Sequence, residues 1–193
     1  PNVFCPQSNT TSLAVTYAQF TIDYFKPKKY ALLYEETDYG RVMAEKFAEY
    51  MKAYSPQAKL VYSGSTKQGE KDFTLILTAM KETKPDALIM FFGGLQVQLS
   101  YKQAREIGIT ASMIGYMYVL KDFINLVGAD LSEYYFTSLA FVRAPHTPKT
   151  LPWYDKWMAK YGKEPILQVA RQYDDIYIIA DAITRAGSVE PQK

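Results

Sequence analysis

Residues 29–47 read KYALLYEETDYGRVMAEKF. The first part, KYALLYE at 29–35, is an apolar run flanked by lysines, and Asp38-Tyr39-Gly40 breaks it before a different pattern begins. The reading is strand, turn, helix. In the helical part Met43, Phe47, Tyr50, Met51 and Tyr54 recur at i, i+4, i+7, i+8 and i+11, one apolar stripe that Ser55-Pro56 terminates. The whole stripe is expected in the core.

The same unit recurs on either side. Residues 59–63 (KLVYS) read as a strand, and after the polar loop GSTKQGEKD the residues Phe73, Ile76, Leu77 and Met80 repeat a helical spacing that Lys84-Pro85-Asp86 stops. Residues 87–92 (ALIMFF) are apolar without alternation, as expected of a strand covered on both faces in a parallel sheet. Gly93-Gly94 ends it. A helix over about 95–107 closes on Gly108, and 112–116 (SMIGY) and 134–139 (YYFTSL) give two more strands. Asn9–Tyr24 and Tyr173–Arg185 read as helices. In the second, Tyr173, Ile176, Tyr177, Ala180 and Ile183 share one face; in the first, Asn9-Thr10-Thr11 reads as an N-cap rather than a glycosylation site. The Pro-rich stretch VRAPHTPKTLP at 142–152 marks a crossing between lobes or a surface loop. Alternating strands and helices with short connections predict right-handed βαβ units in an α/β fold, a doubly wound parallel sheet.

At 193 residues, with 48% hydrophobic and 22% charged side chains, the chain suits one globular domain, or one domain and part of another. A formal charge of +2 gives no field that would gather polyanions, so nucleic acid is excluded as a partner. The single Cys5 and single His146 supply neither a disulfide nor a zinc site, and no metal or cofactor is expected. Cys5 reads as a buried small side chain, without the small residues before it that a lipid anchor needs. No run is long enough to span a membrane. A start at Pro1-Asn2-Val3-Phe4 without Met is expected of a processed or cut piece, whose parent carries the signal peptide.

Catalytic motifs are missing: the sequence has no GxxxxGK[ST], GxGxxG or GxSxG. His146 sits between prolines in a loop and reads as solvated. The acidic pairs Glu35-Glu36 and Asp174-Asp175 are expected to be solvated or to serve as caps, since adjacent side chains diverge. The informative feature is aromatic. Of 17 tyrosines, Tyr39, Tyr116 and Tyr118 stand just beyond the carboxyl ends of predicted strands, where open α/β sheets bind ligands. Gly93-Gly94 allows close backbone approach at the same edge. Aromatic faces with hydroxyl handles suit holding a small organic molecule rather than converting it.

Several segments together resemble a known family: 29–47, KPDALIMFFGG at 84–94, QAREIG at 103–108, YGKEP at 161–165 and QYDDIYIIADAITRAG at 172–187. They look like type I periplasmic substrate-binding proteins of ABC transporters, in the branched-chain amino acid (Leu/Ile/Val) branch. The resemblance implies two Rossmann-like lobes joined by crossovers and closing on a ligand. It makes residues 10–137 the second lobe, 1–9 a crossover, 138–149 a crossover and loop, and 150–193 helices of a first lobe that is mostly outside this chain. It implies a non-enzymatic solute-binding component, periplasmic or on the cell surface. That component hands a small molecule to a membrane permease without itself inserting into the membrane.

By the same resemblance Tyr39 packs on the ligand, and Leu95 stands where amino-acid binders commonly have an aromatic after Gly-Gly. Met117, between Tyr116 and Tyr118, occupies the place of the acidic residue that pairs with a ligand ammonium. A buried ammonium there would lack its counter-charge, so the expected ligand is amino-acid-like or, in preference, an aromatic or aliphatic carboxylate. Gln168 matches a family contact position, and Arg171 could hold a carboxylate in a bidentate pair or else form a salt bridge. The rival readings are a ligand-sensing domain of a signalling receptor or regulator, and an enzyme with an unrecognised site.

Overall fold

The computed structural model describes residues 9–116, 120–137, 143 and 147–190. Cys5, Met117, Tyr118 and His146 lie outside the described residues, as do residues 142, 144 and 145 of the Pro-rich stretch. The chain falls into two compact units, one of residues 8–138 and the other of residues 139–193 with 1–7.

The larger unit opens with α1 (Thr10–Phe20), capped by Asn9, whose side chain accepts from Ser12 N at 2.8 Å. This is the N-cap read from the sequence. A π-helical turn, Thr21–Phe25, follows, and then β1 (Lys29–Glu35), α2 (Asp38–Tyr54), β2 (Lys59–Thr66), α3 (Thr74–Glu82), β3 (Ala87–Phe91), α4 (Leu95–Glu106), β4 (Ser112–Gly115), α5 (Leu120–Val127) and β5 (Tyr135–Phe136). Among the described residues the strands form one sheet in the order β2-β1-β3-β4-β5, every pair parallel. β2 runs three residues further than its apolar part. Of the strand expected at 134–139, residues 138 and 139 lie outside the described residues. α5 is a helix that the sequence reading did not assign.

Helices cover both faces, which is the doubly wound arrangement. On one face Leu33, Leu88, Met90 and Met113 pack against Leu77, Met80, Tyr101 and Phe123 of α3, α4 and α5. On the other Leu32, Ile89, Phe91 and Ile114 pack against Tyr17, Met43, Phe47 and Met51 of α1 and α2. All five residues of β3 are buried, because alternate side chains enter different cores. One member of the α2 stripe departs from expectation: Tyr54 is 66% exposed. The buried arc of α2 is centred on Gly40, Phe47 and Met51. Tyr50, at its edge, donates to Gln19 Oε1 of α1 at 2.6 Å, and Tyr54 packs on Tyr50 from the solvent side in a tilted ring pair with centroids 4.3 Å apart.

The β2–α3 loop is fastened to α4 by two glutamines seven positions apart on one helical face. Gln96 accepts from Gly69 N and donates to Lys67 O; Gln103 accepts from Phe73 N and donates to Lys71 O. Arg105 donates to the carbonyls of Ile109, Ala111 and Glu133, joining the end of α4 to the entries of β4 and β5.

The smaller unit is built on α6 (Thr150–Tyr161) and α7 (Leu167–Ala186). Trp153 stacks on Trp157 and meets Tyr173 edge-on, and Trp157 Nε1 donates to Lys163 O at 2.9 Å. α7 starts six residues before the helix read from the sequence. Ile176, Tyr177, Ile178 and Ile179 are all exposed, and four consecutive positions go right round a helix. Among the described residues, no helix is long and apolar enough to cross a membrane.

Candidate functional site

The carboxyl ends of β1, β3 and β4 are neighbours in the sheet, and within a few residues beyond each stands a residue singled out from the sequence. Tyr39 lies in the first turn of α2, half-buried against the Phe47 core. Leu95 opens α4 and is 54% exposed. Tyr116 follows β4 directly and is half-buried. These three are brought to one edge. Gln168 and Arg171 stand on α7 in the other unit, and Arg171 enters none of the ion pairs found among the described residues.

The turn that places Tyr39 is tightly determined. Thr37 is the N-cap of α2, accepting from Gly40 N at 3.2 Å, and its hydroxyl donates to Glu35 Oε1 at 3.0 Å. Gly40 has to be glycine, because a Cβ there would strike the Glu35 carbonyl. Glu35 itself is 5% exposed and alone among charged side chains of the described residues in being buried. Its other oxygen accepts from Gly93 N at 3.3 Å. This corrects the expectation that Glu35 would be solvated or a cap. Ala31, Leu33 and Glu35 alternate onto one face of β1, so the acid is carried inward at the strand's last residue. Glu36, on the opposite side, is exposed and accepts from Ser65.

Gly94 enters α4 with φ 56° and ψ −129°, a conformation that side-chain-bearing residues avoid. At the end of β4, Gly115 leaves room for Tyr135: a Cβ on Gly115 would come within 2.8 Å of the Tyr135 hydroxyl. That hydroxyl is buried and has no hydrogen-bond partner among the described residues, and burial drives its pKa well above the usual phenol value, with Tyr17, Tyr101 and Tyr39 adding to the shift. Thr66 Oγ1 at the end of β2 and Gln168 Oε1 on α7 are likewise buried without partners. Sequence reasoning missed Glu35 and Tyr135. Among the described residues no group of three or more His, Cys, Asp or Glu side chains could hold a metal ion.

A family model described as "Periplasmic binding protein" matches residues 1–193. The chain belongs to the periplasmic binding protein family. Both the resemblance to the branched-chain amino acid branch of type I periplasmic binding proteins and the α/β fold read from the sequence are borne out.

A leucine-, isoleucine-, valine-, threonine- and alanine-binding protein of Pseudomonas aeruginosa is 26% identical over 179 residues, covering 91% of this chain and 46% of the relative. A Leu/Ile/Val-binding protein homologue of Brucella abortus is 25% identical, with 91% and 46% covered. The chain thus spans about half the length of the relatives it matches. Among solved structures, a leucine-binding protein from Thermotoga maritima superposes with a TM-score of 0.83 at 23% identity, covering 95% of this chain and 52% of its own. A solute-binding protein from R. palustris, solved with benzoate, gives 0.76 at 15%, with 92% and 48% covered. These likenesses concern the fold.

Proposed function

We propose that this periplasmic binding protein chain supplies the second ligand-binding lobe, and helices of the first, of an ABC transporter's solute-binding component. The observation that carries the reading is the convergence of Tyr39, Leu95 and Tyr116 at the carboxyl edge of a parallel sheet, the usual ligand edge of such sheets. Among the described residues at that edge no nucleophile is paired with a base, and the reading is one of capture and release. On this reading residues 10–137 are the lobe, 1–9 a crossover, and 138–149 a crossover and loop. Residues 150–193, whose α7 leaves isoleucines uncovered, belong to the first lobe. The ligand moves from the periplasm or cell surface to a membrane permease.

The ligand has an apolar body, set against Tyr39, Leu95 and Tyr116, and a carboxylate. By the family resemblance, Arg171 on α7 supplies a bidentate partner for a carboxylate and Gln168 a further contact; among the described residues Arg171 enters no ion pair and Gln168 Oε1 has no hydrogen-bond partner. Glu35 presents no charge to the ligand, since its carboxylate is covered and turned to Thr37 and Gly93. Met117, which stands in the sequence where the resemblance puts an acidic residue, brings no counter-charge to an α-ammonium.

A matched pair tests this: leucine and its deaminated analogue 4-methylpentanoate, titrated calorimetrically into the full-length protein, with benzoate as the aromatic probe. A carboxylate lacking the ammonium should bind more tightly than leucine, and Tyr39→Ala should weaken the better ligand by about 1–2 kcal/mol. Tighter binding of leucine would overturn the ligand class, and unchanged affinity in Tyr39→Ala would overturn the site.

A further inference from the structure

We infer that Glu35 is a positioning residue for the ligand edge. Its carboxylate is a strut that holds the β1–α2 and β3–α4 loops in one arrangement, and through them Tyr39 and Leu95. Three observations carry this. The two oxygens divide their partners between loops: Oε1 takes the Thr37 hydroxyl and Oε2 takes Gly93 N, a residue 58 positions away in sequence. The Thr37 hydroxyl passes the tie on, accepting from Gly40 N, so Tyr39 sits inside a loop closed by Glu35, Thr37 and Gly40. On the far side Gly93 is followed by Gly94, whose positive φ turns the chain into α4 and sets Leu95 at its start. One carboxylate thus ties the two loops to each other.

The chemistry of burial points the same way. A nearly covered carboxylate without a cation is costly, and an apolar pair would fill the space at less cost. Glu35 is tolerated because the amino-terminal ends of α2 and α4 both lie beside it and their dipoles favour negative charge. What a carboxylate supplies and an apolar side chain lacks is two directed acceptors at fixed separation, which is what joining two loops requires.

The inference rests on the reading of Tyr39 and Leu95 as ligand contacts, so its test has one arm that needs no ligand. In the full-length protein, Glu35→Ala should raise amide hydrogen exchange at Gly40 and Gly93 by about tenfold or more, with Leu32 and Ile89 in the core unchanged. Glu35→Gln, which keeps the length and one acceptor, should restore part of the protection, and it carries the comparison if the alanine variant does not fold. Unchanged exchange at both glycines, or an equal rise in the core, would overturn the strut. In the second arm, affinity for 4-methylpentanoate and leucine should fall by about tenfold in Glu35→Ala, and by less than about threefold when Tyr39→Ala is already present. Additive losses would show that Glu35 does not act through Tyr39. Failure of the parent protein to bind either probe would instead count against the proposed function, leaving the exchange result to decide the strut.

Discussion

At Tyr135 a phenol is buried over Gly115 without a hydrogen-bond partner, and such a hydroxyl costs more than the apolar group that would replace it. Tyr135→Phe should therefore leave the larger unit as stable or up to about 1 kcal/mol more so, measured by urea unfolding at neutral pH. A loss above about 1 kcal/mol would mean that the hydroxyl has a partner after all. The same residue predicts a pH dependence. Its pKa is raised in the folded state, so below about pH 10 the phenol is protonated folded or unfolded and contributes no difference. As pH rises past that value only the unfolded chain ionises readily, and stability falls. The fall should be shallower in Tyr135→Phe, the remainder including Tyr30 and Tyr101, which burial shifts in the same direction, and Lys46, whose hydrogen bond to Glu49 raises its pKa. Tyr39 was legible as a residue because Asp38-Tyr39-Gly40 interrupts two periodic patterns. Glu35 was not, although the alternation Ala31, Leu33, Glu35 pointed it inward: its charge argued for water, and its partner Gly93 is distant in sequence.

At the scale of elements, legibility followed length and periodicity. The unbroken apolar run of β3 can be satisfied only by cores on both sides, and both are present. α5 spans two turns, with Phe123 and Val127 as its buried anchors, too few repeats to separate helix from loop by pattern. The end of β4 shows why a strand can end on glycine. A Cβ on Gly115 would lie 2.7 Å from Val97 Cγ2, 2.8 Å from the Tyr135 hydroxyl and 3.1 Å from Met90 O. Gly115→Ala should cost about 1–3 kcal/mol by overpacking. In a Tyr135→Phe background one of the three obstacles is gone, and the cost should be smaller by at least about 0.5 kcal/mol. Equal costs in the two backgrounds, from denaturant midpoints, would separate the glycine from the tyrosine.

At the scale of the whole molecule α7 raises a question that neither unit answers alone. Four consecutive large apolar residues of α7, Ile176, Tyr177, Ile178 and Ile179, are exposed, with Ile183 and Val189 further along, although helix positions of that kind are ordinarily covered. The relatives are about twice as long as this chain, and on the proposed reading the rest of the first lobe covers these residues. Ile179, 55% exposed in this chain, discriminates. If first-lobe residues enclose it in the full-length protein, Ile179→Ala removes buried methylenes and should cost about 2–5 kcal/mol. If it remains in water, the change should stay within about 0.5 kcal/mol, and on the stabilising side, because alanine is the better helix former. Thermal and urea unfolding of the full-length variant decide between the two signs. A neutral or stabilising result would detach 150–193 from the first lobe, while a large loss would support the assignment.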